Sequence, residues 1–492
     1  MAHLQQSESR QQSSMPCSDS DSPTPAWSPD KDGAEVAGLL PTPKLRKVEQ
    51  CIGTPDILSR LKGTPIGHFY AKHLKQIPIV RWIVIWAWRN LYPVYTNYIV
   101  VSFGFNVAKR WRPLVKLEEY VKTTNIQTVK VLDAAKVETP VPKVFPVEDL
   151  AYLVSPHDHY EFPPAYVAEI SDAKVYGGTN LVFARDAVIC HDLYDFERDY
   201  TSEELYGRHL IDAIKRRMRL LCHDSAPERI PAAATFVDAC APNYAHWLTE
   251  VLPRVAAFCS EERFANIPII VNDGLHHNII ESLALVAGTD RVIISLPIGR
   301  AIRVDSLYVT SVTGYVPFER RDNKLTGHSH GLFSPLAFDL MRRRVFSFVD
   351  NFPSQDWPKK IYLRRTSGAR KVTNATELEN VLSNNGYVAV EPEKLTFLQQ
   401  VALFRNVDDI VGSSGAALAN FIFASPKANI HILIGKYDGT SYWYWQNMAV
   451  ASGKLVQYFL GDTTIGNIKG IHDDFSICED EVFKVLSQGG VN

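Results

Sequence analysis

Residues 360–435 read KIYLRRTSGARKVTNATELENVLSNNGYVAVEPEKLTFLQQVALFRNVDDIVGSSGAALANFIFASPKANIHILIG. Short apolar runs alternate here with stretches of helical period. KIYLRR (360–365), YVAV (387–390), DDIVG (408–412) and IHILIG (430–435) read as strands. A helix is predicted over 375–384, with Asn374 as N-cap, Glu377 three residues on and Gly386 past its end. Thr396 and Gln399 form a second capping box that opens a helix over 397–405, and a third helix is predicted over 415–423. Short strands separated by helices predict a parallel sheet covered on both faces.

The same alternation runs upstream. ATFVDA (234–239), IPIIVN (267–272), RVIIS (291–295) and VDSLYVT (304–310) read as strands, with helices over 243–259 and 276–287. Residues 314–350 connect the two series and end in a basic helix over 335–349. Between 145 and 233, VEDLAYLV, AYVAEI, AKVYGG and NLVFARDAVIC read as strands and turns, and 202–220 as a basic helix. The predicted fold class is α/β, with two Rossmann-like halves facing a cleft between their carboxyl strand ends. The expected divisions are a disordered tail over 1–43, a basic Trp-rich region over 44–145, an N-terminal α/β domain over 146–345 and a C-terminal Rossmann-like domain over 346–492.

Composition bounds the function. The 492 residues are 46% hydrophobic and 22% charged, which is ordinary globular usage and excludes a collagenous or wholly disordered chain. A net charge of −2 gives no global basic field, so no nucleic-acid partner is expected. Seven scattered cysteines without a CxxC argue against a zinc module or disulfide framework and favour a reducing compartment. Residues 61–122 depart from this average, with ten Lys/Arg against two acids and four of the nine tryptophans (Trp82, Trp86, Trp88 and Trp111). The central IVRWIVIWAWRNLY would span about 21 Å as a helix, against roughly 30 Å of hydrocarbon. Basic residues interleaved with Trp suit the membrane interface; a buried helix with surface-reaching arginines is the alternative.

Three motifs carry candidate chemistry. In PNYAHWLTEVLPR (242–254), spacing of four puts His246, Glu250 and Arg254 on one helical face, and Pro253 should kink that helix about one turn earlier. A carboxylate beside an imidazole suits acid–base work. Arg364 and Arg365, followed by a loop carrying Arg370 and Lys371, suit phosphate oxygens. The run Gly412-Ser413-Ser414-Gly415-Ala416 between strand and helix lets a ligand approach the backbone. Each has a plainer alternative: a surface Glu–Arg pair, a solvated basic loop, and tight helix–sheet packing. No metal site is expected from the His and Asp clusters.

Taken in order, NYAHWLTEVLPR, YLRR and GYVAVEPEKLTFLQQVALFRNVDDIVGSSGAALANFIF resemble the family-61 glycosyltransferases. The resemblance covers about 150–460 and is strongest over 360–425. It implies a GT-B architecture, a nucleotide-diphosphate sugar as donor, inversion at the anomeric carbon and no obligatory metal or cofactor. It would place Arg364, Arg365, Lys371 and Asn374 near the donor phosphates, and Glu391 and Glu393 at the ribose. Gly412, Ser413, Ser414, Gly415, Ala416 and Asn420 would face the diphosphate, with His246 and Glu250 towards the acceptor and Glu250 the expected base, oriented or replaced by His246. Where the family usually has His-Gly-Ala-Gly-Leu, this chain has Ser414-Gly415-Ala416-Ala417-Leu418. The implied acceptor is a glycan or lipid-linked saccharide. The implied place is the cytoplasm, peripheral at the cytosolic membrane face. A pyruvyltransferase of similar fold and an inactive sugar-binding scaffold are the competing readings.

Overall fold

A computed structural model describes residues 26–28, 43–48, 111–153, 158–205, 209–220, 226–317, 319–320, 331–352, 356–365, 370–436, 442–463 and 473–487. The protein is mixed α/β. The IVRWIVIWAWRNLY segment and most of the predicted tail lie outside the described residues. Among those described, no helix is long and apolar enough to cross a membrane.

The larger sheet has a parallel core in the spatial order Lys44–Lys47, Val292–Leu296, Ile269–Asn272, Glu228–Thr235, Ala301–Thr310. All four residues of Ile269–Asn272 are buried, as a strand covered on both faces requires. The Ala165–Tyr176 strand then pairs antiparallel with Ala301–Thr310 and carries the sheet on to Arg112–Lys116 and the hairpin His209–Asp212/Arg217–Leu220. The smaller sheet is parallel in the order Val388–Val390, Lys360–Leu363, Asp409–Ser413, Asn429–Lys436, Gln457–Thr463. One apolar cluster joins the two sheets, running from Val144 through Trp247, Leu283 and Ile361 to Leu460.

Helices arise where capping and periodicity coincide. Pro335–Val349, Ala375–Asn384 and Phe397–Asn406 match their predicted spans to within a residue, and the Thr396/Gln399 box is formed. The predicted division at 345/346 falls inside the first of these. Asn374 does not cap with its side chain; that amide instead holds the carbonyl of Ile477 and the carboxylate of Glu479.

Several local predictions are corrected. Residues 202–220 are not one helix but a short turn, Ser202–Leu205, and a hairpin. Its turn uses Arg216 at φ 43°, so no Gly or Asn advertises it. VEDLAYLV is mostly a 3₁₀ turn, Val147–Leu153. AYVAEI and AKVY are one strand, Ala165–Tyr176, which passes through Asp172 at φ 53°. Within the predicted tail, Trp27 donates its N–H to the Ala389 carbonyl and packs its ring 5.5 Å from Trp357. In the 44–145 region, Lys44–Lys47 forms the edge of the larger sheet and Lys143–Phe145 joins the smaller one.

Candidate active site

In both sheets the strand order reverses once: between Glu228–Thr235 and Ala301–Thr310, and between Lys360–Leu363 and Asp409–Ser413. Crevices outside the carboxyl ends at such points are where ligands bind in open α/β sheets. Here both reversals open on one cavity of about 560 Å³. His246 enters it from the chain after Glu228–Thr235, and Val316 from the chain after Ala301–Thr310. Arg364, Arg365 and Arg370 enter after Lys360–Leu363, and Ser413, Gly415 and Ala416 at the end of Asp409–Ser413. Leu363, Arg364, Arg365, Ser413, Gly415 and Ala416 thus share one cavity with His246.

His246 and Glu250 are joined by a hydrogen bond between imidazole Nδ1 and the carboxylate. The kink predicted before Pro253 is a π-turn, Trp247–Val251, in which the Leu252 N–H reaches back to the Trp247 carbonyl. Such a turn rotates side chains off the regular helical phase. The other Glu250 oxygen, Oε2, accepts from the Val316 N–H at 3.0 Å. Both carboxylate oxygens are thereby engaged. Glu250 lines a separate small cavity of about 30 Å³ behind the imidazole, shared with Asp238 and Arg254. His246 therefore faces the main cavity while Glu250 backs it, and among the described residues Nε2 of the ring has no partner.

Electrostatics couple this pair. Burial pushes the Glu250 carboxyl up, opposed by the adjacent imidazole. Burial works against a charged His246, but the Glu250 carboxylate outweighs it and the imidazole titrates above its ordinary value. Burial lowers the Arg254 guanidinium against the pull of Asp238, 3.7 Å away, and of Glu250.

The cations divide into held and available groups. Arg364 is paired with Glu379 and lies 3.6 Å from Glu391, so its charge is largely answered within the protein. Glu391 also takes Lys394 at 2.7 Å and is buried; Glu393, at the exposed rim, is the acid that lines the cavity. Arg365 is half-buried, and its Nε is shut off from solvent without a hydrogen-bond partner among the described residues. Burial lowers its pKa, against the pull of Asp474 and Glu393. The guanidinium rests directly on Gly415, where a Cβ would overlap Nη1. That contact explains the glycine.

Other predicted residues lie outside the cavity lining. Lys371 is exposed, and its backbone N–H is taken by Asp474 at 2.9 Å. Arg370, its neighbour in the same basic loop at φ 64°, lines the cavity instead. Gly412 packs against the Leu363 side chain. Ser414 is buried and gives its N–H to the Leu433 carbonyl, so it is Ser413 that reaches the cavity, its hydroxyl unpartnered among the described residues. Asn374 ties down the C-terminal segment, as described above. Sequence reading also passed over Tyr444 and Trp445 on the cavity wall; the aromatic run Tyr442-Trp443-Tyr444-Trp445 was the available signal.

Asn420 has a different place from the one expected. Fully buried, it accepts from the Tyr244 hydroxyl at 2.8 Å and donates to Gln400 at 2.7 Å. It thus ties the start of the His246 helix to the smaller sheet's helices. Glu281 adds to this link by accepting from the N–H groups of Phe397 and Leu398, at 2.9 and 3.0 Å. Asn420→Ala strands two buried polar partners and is expected to cost about 2–3 kcal/mol, read as a lower urea midpoint in equilibrium unfolding. An unchanged midpoint would remove Asn420 from the contact between the sheets.

Residues 244–431 match the family model for glycosyltransferase 61. The chain carries a family-61 glycosyltransferase domain. The matched residues contain His246, Glu250, Arg365 and Gly415, so most of the cavity's lining falls within the matched stretch. A comparison with curated proteins returned no match. Among the described residues no group of three or more His, Cys, Asp and Glu is arranged to hold a metal ion.

Proposed function

We propose that this family-61 domain transfers a sugar from a nucleotide-diphosphate donor to a hydroxyl of a glycan or lipid-linked saccharide, with inversion, on a GT-B arrangement of its two sheets. The observation that carries the reading is Arg365: a half-buried guanidinium with an unpartnered Nε, seated on Gly415 and facing the cavity that holds His246. An N–H shut off from solvent without an acceptor is costly, and a diphosphate oxygen would answer it.

In the proposed reaction His246 Nε2 takes the acceptor's hydroxyl proton as that oxygen bonds to the anomeric carbon. The bond from that carbon to the diphosphate breaks, and its electron pair stays on the leaving phosphate oxygen. The transition state has oxocarbenium character, as in glycoside chemistry. Arg365 and Arg370 stabilise the departing charge, aided by the first N–H groups of the Ala416–Phe423 helix, which lack intrahelical partners. Glu250 orients the imidazole and stabilises its charged form. The scheme assigns no step to a metal ion. Glu393 at the rim is the acid suited to the donor's ribose hydroxyls.

The basic, Trp-rich composition of 61–122 supports peripheral attachment at the cytosolic membrane face, where a lipid-linked acceptor would be found. A screen of nucleotide sugars by mass spectrometry tests the activity. A mass gain equal to a glycosyl unit supports it; a gain equal to a pyruvyl unit, or none from any donor, overturns it. Gly415→Ala forces the Arg365 guanidinium off its seat. Affinity for a nucleoside diphosphate should fall about tenfold or more by calorimetry, the scale of one charge-assisted hydrogen bond. Unchanged affinity would mean that Arg365 does not hold the diphosphate.

A further inference from the structure

The small cavity behind Glu250 gathers charges that the proposed reaction does not use. Asp238, Glu203 and Glu250 line it, and Arg254 is the only Lys or Arg among the described residues that does. Asp238, Glu203 and Arg254 are all buried. Spacing alone would set Arg254 on the face of His246. The π-turn Trp247–Val251 intervenes, and Arg254 lines the small cavity and not the main one. At about 30 Å³ the space has room for about one or two waters, so these charges act on one another with little solvent between them.

The guanidinium is shared rather than paired off. Its Nη2 lies 3.7 Å from Asp238, its Nε has no hydrogen-bond partner among the described residues, and the Phe236 ring is 5.8 Å away. Asp238 is fixed: it accepts the Cys240 N–H at 2.9 Å and donates its own N–H to Asn272 at 2.9 Å. Glu203 is answered from elsewhere, accepting the Asn180 N–H at 2.9 Å and lying 3.6 Å from His209. Asp238 and Glu250 are the two acids that pull on Arg254, against its burial. Other titratable groups at the pair add little charge near neutral pH. Burial, with Arg254, pushes His191 down to about 3, and burial pushes Cys240, Tyr244, Tyr315 and Tyr444 up. The Tyr194 hydroxyl is on Glu204 at 3.3 Å. On the other side of the ring, the main cavity carries Arg364, Arg365, Arg370, His276 and Glu393.

We propose that Arg254 is a positioning residue that keeps the His246 imidazole neutral, by offsetting the carboxylates of Asp238 and Glu250 behind it. Only the neutral ring can take the acceptor's proton. One carboxylate behind the ring stabilises its charged form in the transition state. Two unanswered carboxylates would hold the ring charged at rest, and it would already carry its proton when the acceptor arrived. Arg254 cancels one of the two. The inference rests on His246 as the base, and it gives a role to the third residue of the spacing of four.

The test follows the His246 ring by NMR in full-length protein carrying isotope-labelled histidine, its signal being the one absent from His246→Gln. In Arg254→Gln the titration midpoint should rise by about 1 pH unit, the scale of one charge a few ångströms away, because loss of a cation favours the protonated ring. In Asp238→Asn it should fall. The double variant removes one charge of each sign and should return near wild type, as should Arg254→Lys. The acid limb of kcat should move with each midpoint. A residue that served packing alone would lower stability without these opposite shifts. An unmoved or lowered midpoint in Arg254→Gln overturns the inference. If that variant does not fold, equal midpoints in Asp238→Asn and the double variant overturn it. Shifted midpoints without turnover of any nucleotide sugar sustain the charge balance and overturn the proposed transfer; turnover with unmoved midpoints does the reverse.

Discussion

Arg365→Ala is expected to lower turnover by about 10²-fold or more, equivalent to about 2.7 kcal/mol of transition-state stabilisation, the usual scale for one preorganised charge-stabilising donor. Three features make this cation the decisive one. Its Nε is enclosed and unpartnered among the described residues, so the protein itself leaves part of it unanswered. Its guanidinium rests on Gly415, where a Cβ would push it aside. Arg364, one residue earlier, is by contrast held by Glu379 and Glu391 and cannot move to replace it without breaking its pair with Glu379. Arg364→Ala should therefore act mainly on stability, and Arg365→Ala on the rate of donor turnover. Wild-type-like kcat in Arg365→Ala would remove the phosphate assignment, and with it the main support for a nucleotide-sugar donor.

His246→Gln is expected to lower kcat by about 10²–10⁴-fold, the range for a lost general base. Glu250→Gln separates base from orienting group through pH. The base must be neutral to accept a proton. Because Glu250 raises the His246 pKa, wild-type activity should be lost as pH falls through a value above the ordinary imidazole pKa of about 6.5. In Glu250→Gln the carboxylate charge is gone and burial is opposed only by the more distant Asp238, so that limb should move to lower pH. The maximal rate should fall as well, since the charged imidazole of the transition state loses its partner. If Glu250 were itself the base, His246→Gln would keep an acid limb of carboxyl origin and Glu250→Gln would lose it. The geometry argues for His246: both Glu250 oxygens are engaged, and its carboxylate lies behind the ring.

The residues that define the site differ in how visible they were in the sequence. His246 and Glu250 were legible because a spacing of four on a helix after a strand is a local property. Their division of labour was not, because it depends on the π-turn and on the Val316 N–H, 66 residues away. Arg365 and Gly415 were both legible as site residues, but their contact was not. It joins the ends of two strands that are adjacent in the sheet and about 50 residues apart in sequence. Lys371 and Arg370 show the opposite case. Either could serve a basic loop, and a left-handed φ at Arg370 decides which one lines the cavity.

The sequence by itself determined the α/β class, most helix spans, the Thr396/Gln399 cap and several strands of the parallel cores, though not Lys44–Lys47 or Gln457–Thr463, and it placed Glu228–Thr235 too late, over 234–239. All of these depend on periodicity and on groups within a few residues of each other. Only the tertiary structure decided that both strand-order reversals open on one cavity, that Asn420 is an internal tie and that 202–220 holds a hairpin. These depend on which distant backbone and side-chain groups meet, and hydrogen bonding and close packing settle that only once the whole chain is folded.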